Sequence, residues 1–410
     1  MFTINYKLFY WIALFSIFVI PLFGLWDFLA SLGLIENLTT SHSRSDNPYR
    51  RLIVLKDLIP LGVLIIFAIN FVNKKSISNV SLFILILGSF PFLTCDSLGE
   101  IVAGMRQSIA LVYISLGFAI ANYGQVNLNA KHLISRLVLS IQIVLIIELC
   151  MCILQLFFMP IAHDGLTFIG PRVLGSFINP NAIGMHALIS IVFIHILSIR
   201  KTSIIPYHII SLFIILASGS RGSVLALSFL YFYIFINSFE STKNKNIATI
   251  CSFILLAILI TNINLISSKP SGISFFNDAR VQALFHYLSE IDFYSLMTGQ
   301  GWGWNTSWYR AIYPVRELNY AADSFFTSIL IQIGPLFVSI FMVVLAYIFS
   351  LAGKKGMLLL ITFLIIGLQI NILEFYPIIN ILFLSLGLLI GLNQASIKQK
   401  GQQKISYNEN

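Results

Sequence analysis

The chain has 410 residues, of which 58% are hydrophobic and only 10% are charged, with a mean hydropathy of +0.89 and a formal net charge of +9. So few charges leave most side chains to face lipid or one another, which excludes a water-soluble globular fold. The four cysteines and seven histidines show neither disulfide-framework nor metal-ligand spacing. We therefore predict that the cysteines act as small apolar residues and that the protein holds no metal or other cofactor.

Apolar runs of about 20 residues, the length that a helix needs to cross the hydrocarbon core of a bilayer, recur along the chain. Because only a helix satisfies its own backbone hydrogen bonds in lipid, each run predicts a membrane-spanning helix. The twelve predicted spans are 8–28, 52–72, 79–95, 107–123, 133–158, 181–199, 204–218, 223–237, 247–266, 324–350, 356–373 and 377–393. The predicted fold is an all-α polytopic membrane protein, with residues 1–410 as a single integral membrane domain.

Basic residues orient these helices, because positive charge is retained on the cytoplasmic side of a membrane. With both termini in the cytoplasm, lysine prevails on the inner side and arginine on the outer, periplasmic side of a bacterial inner membrane. The outer arginines are Arg44, Arg50, Arg51, Arg106, Arg172, Arg221, Arg280, Arg310 and Arg316. A guanidinium donates a bidentate fork to phosphate and keeps its proton, so this sorting favours pyrophosphate binding. Contact with lipid headgroups or with a nearby carboxylate is the alternative for any single arginine.

Two short polar segments lie at the outer ends of predicted spans. The first, GPRVLGSFINPNAIG at 170–184, leads into the sixth span, and Asn179 or Asn181 can cap the helix that Pro180 begins. The second, SGSRG at 218–222, forms the hinge between the seventh and eighth spans. Its glycines allow a close approach of the backbone to a ligand, and the helix that follows offers N–H groups to an anion. Turn formation alone is the alternative for both segments.

Residues 267–323 form a long segment that we place on the periplasmic side, between the ninth and tenth spans. The periodicity of apolar residues predicts an amphipathic helix from Asp278 to Ile291. A glycine and tryptophan cluster follows at 298–304, and its residue Trp302 is expected either to anchor at the membrane interface or to stack on a sugar. The cluster lacks the glycine fingerprints of nucleotide-binding loops.

Three segments follow one another in order: GSFINPNAIG at 175–184, SRG at 220–222, and a block that runs from Arg280 through GQGWG at 299–303 to DSFF at 323–326. In this order they resemble the O-antigen polymerase and O-antigen ligase superfamily. The resemblance implies a GT-C-like fold and a metal-independent, inverting glycosyltransferase. It also implies that the protein acts at the periplasmic face on an oligosaccharide linked to undecaprenyl pyrophosphate. The partners so implied are that substrate, membrane lipids, a chain-length regulator and a flippase, and no nucleic acid.

Polymerases of this superfamily (Wzy-type) extend a lipid-linked glycan, whereas ligases transfer the finished chain to lipid A core. Ligases usually carry a histidine where the long segment meets the next span, and this chain has Asp323 there. This difference favours a polymerase of O-antigen or of a related surface polysaccharide, with the ligase as the alternative.

The resemblance also implies that Arg172, Arg221 and Arg280 hold the donor pyrophosphate. Asp323 is our candidate for the general base that accepts the proton of the attacking hydroxyl, and capping of the next helix is its alternative role. We thus predict that Arg280 and Asp323 are catalytic. The further candidates for substrate binding are Arg106, Asn179, Asn181, Arg310, Arg316 and Trp302.

Two other functions stay open, a flippase or transporter of the same lipid-linked glycan and an assembly partner without chemistry of its own. Transporters place charged residues midway along their spans and often consist of two similar halves. In this chain Glu148 and Glu374 are the main acids in or near predicted spans, and no internal repeat is evident. These features rank transport below glycosyl transfer.

Overall fold

The computed structural model describes the fold in segments. They are residues 6–32, 98–126, 130–158, 167, 170–177, 180–198, 204–238, 249, 285, 289, 297–302, 304, 324–368, 370–374 and 376–408. These residues form an all-helical fold, which confirms the predicted class.

The described α-helices follow the apolar runs of the sequence. In chain order they are α1 (Tyr6–Ser31), α2 (Leu98–Ile109), α3 (Val112–Val126), α4 (Ala130–Phe158), α5 (Pro180–Leu197), α6 (Ile205–Ser218), α7 (Arg221–Ser238), α8 (Phe325–Leu351), α9 (Gly353–Gly367) and α10 (Tyr376–Asn408). A short 3-10 helix, η1 (Ile372–Glu374), precedes α10.

Most predicted spans in the described residues coincide with single helices. The predicted span at 356–373 is too long, because α9 ends at Gly367, and the span at 107–123 is wrong at its start. There α2 ends at Ile109 and α3 begins at Val112, and the amide of Leu111 donates to the carbonyl of Ser108 at 3.0 Å in the turn between them. Hydropathy is continuous across this turn, so it gave no sign of the break. The predicted spans 52–72 and 79–95 lie outside the described residues, and so does 247–266 apart from residue 249.

Three of the described helices are long and apolar enough to cross a membrane, by length and composition. They are His132–Phe158, Pro180–Leu197 and Phe325–Leu351. Shorter apolar helices accompany them, among them Val112–Asn122 and Arg221–Asn237. These helices make the protein a membrane protein, and the total of twelve spans stays a prediction.

The helices differ in how much apolar surface they expose. Helix α8 exposes Leu336, Ile340, Val343 and Tyr347, which recur every three or four residues and so form one stripe along the helix. A stripe of this size would be an aggregation hazard in water and suits contact with lipid. In contrast, α5 is buried along nearly its whole length and lies at the centre of the helices.

A close contact between helices joins α3 to α10 through glycines. A Cβ atom added at Gly387 would overlap the carbonyl oxygen of Ile114, and one added at Gly117 would lie 2.8 Å from the amide nitrogen of Leu388. One turn further on, a Cβ at Gly391 would lie 2.6 Å from the Cβ of Ala121. Small residues spaced in this way let two helix backbones touch, which is how helices pack where lipid supplies no hydrophobic drive.

Candidate functional site

The guanidinium of Arg172 joins the two polar segments that the sequence singled out. Its Nε donates to the carbonyl oxygen of Ser218 at 2.9 Å, and its Nη2 donates to Oδ1 of Asn181 at 2.9 Å. Arg172 is only 6% exposed. A charge withdrawn from water in this way is costly unless it is paired or hydrogen-bonded, so these bonds hold the guanidinium in one position.

The turn at 218–220 fits against Arg172 because it contains a glycine. Gly219 adopts a left-handed φ of 62° as the residue that ends α6, and its amide donates to the carbonyl of Leu216 at 3.1 Å. A Cβ at this position would lie 3.1 Å from Nε of Arg172. Glycine is therefore suited to the position both by its backbone angle and by the closeness of the arginine.

Helix α7 begins directly after this turn, at Arg221. The hydroxyls of Ser220 and Ser223 lie 2.8 Å apart and are fully buried, which ties the first turn of the helix together. Helix α5 packs against the same turn, because a Cβ at Gly184 would lie 2.6 Å from Oγ of Ser218. The start of α7, where the helix dipole is positive, thus lies beside the segment that carries Arg172.

Two polar side chains of α4 hold the backbone that follows Arg172. Oε1 of Gln155 accepts from the amides of Leu174 and Gly175, both at 2.8 Å, and its Nε2 donates to the carbonyl of Gly175 at 3.2 Å. One amide side chain therefore satisfies three backbone groups of an irregular segment inside the protein, where unpaired groups are costly.

Glu148 lies two turns before Gln155 on the same helix and binds the next residue of this segment. Its carboxyl oxygens accept from the amide of Ser176 at 2.9 Å and from the Ser176 hydroxyl. Glu148 and Gln155 are both fully buried. We name residues 172–176 with Glu148 and Gln155 the Arg172 cluster.

Sequence reasoning noted Glu148 only as an acid within a span and passed over Gln155. Glu148 and Gln155 are separated by two helical turns and so lie on one face of the C-terminal half of α4, which is otherwise apolar. This spacing is the signal that could have found them.

The glycine and tryptophan cluster docks on a break in α8. Gly334 has a φ of 70° inside this helix and Pro335 follows it. Proline has no N–H, so the carbonyl of Ile331 lacks its helical donor. The amide of Gln300 supplies the bond at 2.9 Å, and the amide of Gly301 donates to the carbonyl of Gln332 at 3.0 Å.

Trp302 is buried between the glycine and tryptophan cluster and α2. Its side chain is 2% exposed, its Nε1 donates to the carbonyl of Gly104 at 3.1 Å and to Oγ of Ser108 at 2.9 Å, and its ring packs near Phe341. Its ring is therefore enclosed by described residues of the protein, and its role in substrate binding stays a prediction. Through these bonds Trp302 connects the glycine and tryptophan cluster to α2.

Some of the other predicted site residues lie in described helices, and the rest lie outside the described residues. Arg221 begins α7, and the backbone of Arg106 lies in α2, the helix that Trp302 contacts. Asn181 lies inside α5 and holds Arg172, so it is not the cap of this helix. The predicted residues Asn179, Arg280, Arg310, Arg316 and Asp323 lie outside the described residues.

The start of α8 bears on the alternative role given to Asp323. The residue at the N-cap of this helix is Ser324, whose hydroxyl donates to the carbonyl of Gly367 at 3.2 Å. The position that caps α8 therefore belongs to the residue after Asp323.

Comparisons of the chain with protein-family models, with curated proteins and with solved structures found no match.

Proposed function

We propose that the protein is a polymerase of lipid-linked polysaccharide repeat units at the periplasmic face of a bacterial inner membrane. It transfers the glycan from undecaprenyl pyrophosphate to a lipid-linked acceptor. The observation that supports this most is the fixed guanidinium of Arg172 beside the start of α7. Two segments that the resemblance links to donor binding, 170–184 and 218–222, are in direct contact there. Arg172 makes this contact by donating to the carbonyl of Ser218, while it also donates to Asn181 of its own segment.

The chemistry of the donor explains the need for fixed positive charge. The bond between the anomeric carbon and the pyrophosphate oxygen breaks, and its electron pair leaves with the pyrophosphate. The oxygen of the acceptor hydroxyl forms the new glycosidic bond from the opposite side, which inverts the anomeric centre. Charge that grows on the leaving phosphate is stabilised most by donors that are already in place.

In this proposal Arg172 and Arg221 act on the pyrophosphate together with the N–H groups at the start of α7. Arg280 adds positive charge from the long segment, and Asp323 accepts the proton of the attacking hydroxyl. Glu148 and Gln155 do not touch the substrate. They position Arg172 by fixing the backbone that follows it.

The test is chain extension by purified protein with lipid-linked repeat units in detergent. We expect Arg172→Ala, Arg172→Lys and Arg221→Ala each to slow extension about tenfold or more. Lysine retains the charge at 172 but lacks the fork that reaches both Ser218 and Asn181. Arg136→Ala is the matched control, because Arg136 lies on α4 about 18 Å along the helix axis from Glu148. Normal extension by all three variants would refute the assignment of the pyrophosphate site.

The same assay separates the alternatives by product. A polymerase yields ladders of repeat units on the lipid carrier. A ligase instead requires lipid A core as acceptor, and a flippase forms no glycosidic bond in detergent, where no second compartment exists.

A further inference from the structure

Two buried amide side chains, those of Gln107 on α2 and Asn380 on α10, take no part in the Arg172 cluster. Each residue is 3% exposed, and neither the oxygen nor the nitrogen of either amide has a hydrogen-bond partner among the residues that the structure describes. A buried amide without partners is costly, and native proteins retain few of them. Four such atoms in two side chains indicate a ligand that completes their hydrogen bonds.

The α3–α10 contact places the two amides at the same level. The helices run parallel, because the glycine contacts described above follow one another in the same order on both. Asn380 precedes Gly387 by seven residues, or two helical turns, and so lies on the face of α10 that touches α3. Gln107 precedes Ile114 by the same seven residues, and α2 also contacts η1 just before α10 begins. The two amides thus lie where the end of α2 meets the start of α10.

This position is at the same end of the helices as Arg172, which lies beside the start of α5. The last residues of α5 meet the start of α9, where Nζ of Lys355 donates to the carbonyl of Ile196 at 2.7 Å. Helix α9 therefore ends where α5 begins, and η1 and the start of α10 follow it there. Gln107 and Asn380 consequently lie at the end of the helices where the pyrophosphate site is proposed.

The polar side chains that link α2 to η1 in the described part of the chain are neutral. Oγ of Ser108, on α2, accepts from Nε1 of Trp302 at 2.9 Å. On the other side of the glycine and tryptophan cluster, Oγ of Ser328 accepts from Nε2 of Gln332 and from Nδ2 of Asn371, both at 2.9 Å. Asn371 directly precedes η1. Hydroxyls and amides both donate and accept without carrying charge, so these surroundings suit a neutral ligand rich in hydroxyl groups.

We propose that Gln107 and Asn380 bind hydroxyl groups of a sugar in the lipid-linked glycan. This inference rests on the proposed function, since it assigns a second part of the same substrate. A primary amide offers two N–H donors and a carbonyl acceptor, and a sugar hydroxyl both donates and accepts. Phosphate would use the donors alone and leave both carbonyl oxygens unsatisfied, and an acyl chain would satisfy none of the four atoms.

The first test is the binding of a glycan that cannot react. Mild acid cleaves the glycosyl pyrophosphate bond and releases the repeat-unit oligosaccharide, which is titrated against the full-length protein in detergent by equilibrium dialysis. We expect Gln107→Leu and Asn380→Leu each to weaken binding about tenfold, through the loss of two hydrogen bonds. Asn393→Leu is the matched control, because Asn393 lies about 20 Å further along α10 and its Nδ2 donates to the carbonyl of Leu351.

Thermal unfolding without glycan separates ligand binding from a structural role. Leucine at 107 or 380 removes no hydrogen bond to a described residue, so both variants should unfold at or above the temperature of the wild type. Asn393→Leu should unfold at a lower temperature, because it loses its bond to Leu351, and should bind the oligosaccharide normally. If the two amide variants unfolded below Asn393→Leu, the amides would have partners within the folded protein and the proposal would be overturned.

Kinetics identify which glycan supplies the sugar. An alkyl glycoside of the repeat unit serves as an acceptor that lacks pyrophosphate and therefore cannot donate. A KM that rises about tenfold for this acceptor in Asn380→Leu, with an unchanged KM for the lipid-linked donor, assigns the sugar to the acceptor. The reverse pattern assigns the sugar to the donor. An unchanged KM for both glycans would contradict the proposal.

The outcomes for this site and for the proposed function are distinct. If both leucine variants bound the oligosaccharide as the wild type does while the wild type extended chains, water would be the partner of the two amides, and this proposal alone would fail. A wild type that binds the oligosaccharide through Gln107 and Asn380 but forms no polymer would refute the proposed function and retain the saccharide site. A wild type that does neither would refute both.

Discussion

The α3–α10 contact and the Arg172 cluster are both buried among helices, but their side chains differ in kind. Between α3 and α10, Gly117 and Gly387 bring two backbones together without any side-chain hydrogen bond of their own. In the Arg172 cluster, a guanidinium, a carboxyl group and an amide are all buried and each is hydrogen-bonded.

Under the proposed function, the α3–α10 contact serves stability and the Arg172 cluster serves chemistry. Close contact between glycines withdraws little polar surface from water and gains dispersion energy. Burial of ionisable groups is expensive and is usually retained in membrane proteins because function needs it. Variants that perturb the first contact should therefore affect folding alone, and variants of the second should affect activity more than folding.

The largest effect is expected for Gly387→Leu. Its side chain would overlap the backbone of Ile114, and a backbone cannot move aside as a flexible side chain can. We expect destabilisation of about 3 kcal/mol or more, since overpacking of side chains alone costs about 1 to 3 kcal/mol. Thermal unfolding of the detergent-purified protein measures it. Val343→Leu, which adds bulk where 70% of the side chain is exposed, is the control and should unfold like the wild type.

The next effect is expected for Gln155→Leu, which removes the partners of three backbone groups at Leu174 and Gly175. Each buried group left unsatisfied costs about 1 to 3 kcal/mol, and movement of the irregular segment limits the total, so the protein should still fold at low temperature. Chain extension should fall about tenfold, because Arg172 loses its fixed position. Gln142→Leu, on the same helix, is the matched control. If both glutamine variants extended chains equally well, Gln155 would have no positioning role.

The helices themselves follow from the sequence because the rule behind them is local. A chain in lipid must satisfy its own backbone, so an apolar run of sufficient length predicts a helix whatever its neighbours are. This reasoning correctly placed α4, α5 and α8. It failed at residues 110–111, where the turn between α2 and α3 is as apolar as the helices on either side.

The candidate site was only partly predictable, because its contacts join distant parts of the chain. Arg172 was predicted because of its residue type, and Gly219 because it is a glycine in a polar turn. No local pattern, however, shows that the arginine reaches the carbonyl of Ser218. The burial of Trp302 could not be predicted for a related reason. Tryptophan suits both a membrane interface and a buried position with a hydrogen-bond acceptor, and composition does not distinguish them.

Gly184→Ala should have an intermediate effect that links the two kinds of contact. This glycine packs like those of α3 and α10, but against the turn that holds Arg172, since a Cβ would lie 2.6 Å from Oγ of Ser218. A single added methyl should destabilise the protein by about 1 kcal/mol. We expect a larger proportional loss in chain extension, because the turn must shift and Ser218 binds Arg172. Ala119→Val, which adds two carbon atoms on α3, is the control and should leave extension per folded molecule unchanged.

The smallest effect is expected for Trp302→Phe, which retains an aromatic ring and removes the two hydrogen bonds from Nε1 to Gly104 and Ser108. Stability should fall by about 1 kcal/mol, the net contribution of such bonds. Chain extension per folded molecule should be unchanged, because the ring is buried. Trp11→Phe, at an exposed position of α1, controls for loss of an indole. A selective loss of extension with normal stability would instead show that Trp302 contacts the sugar, and would move it from the packing of α2 into the site.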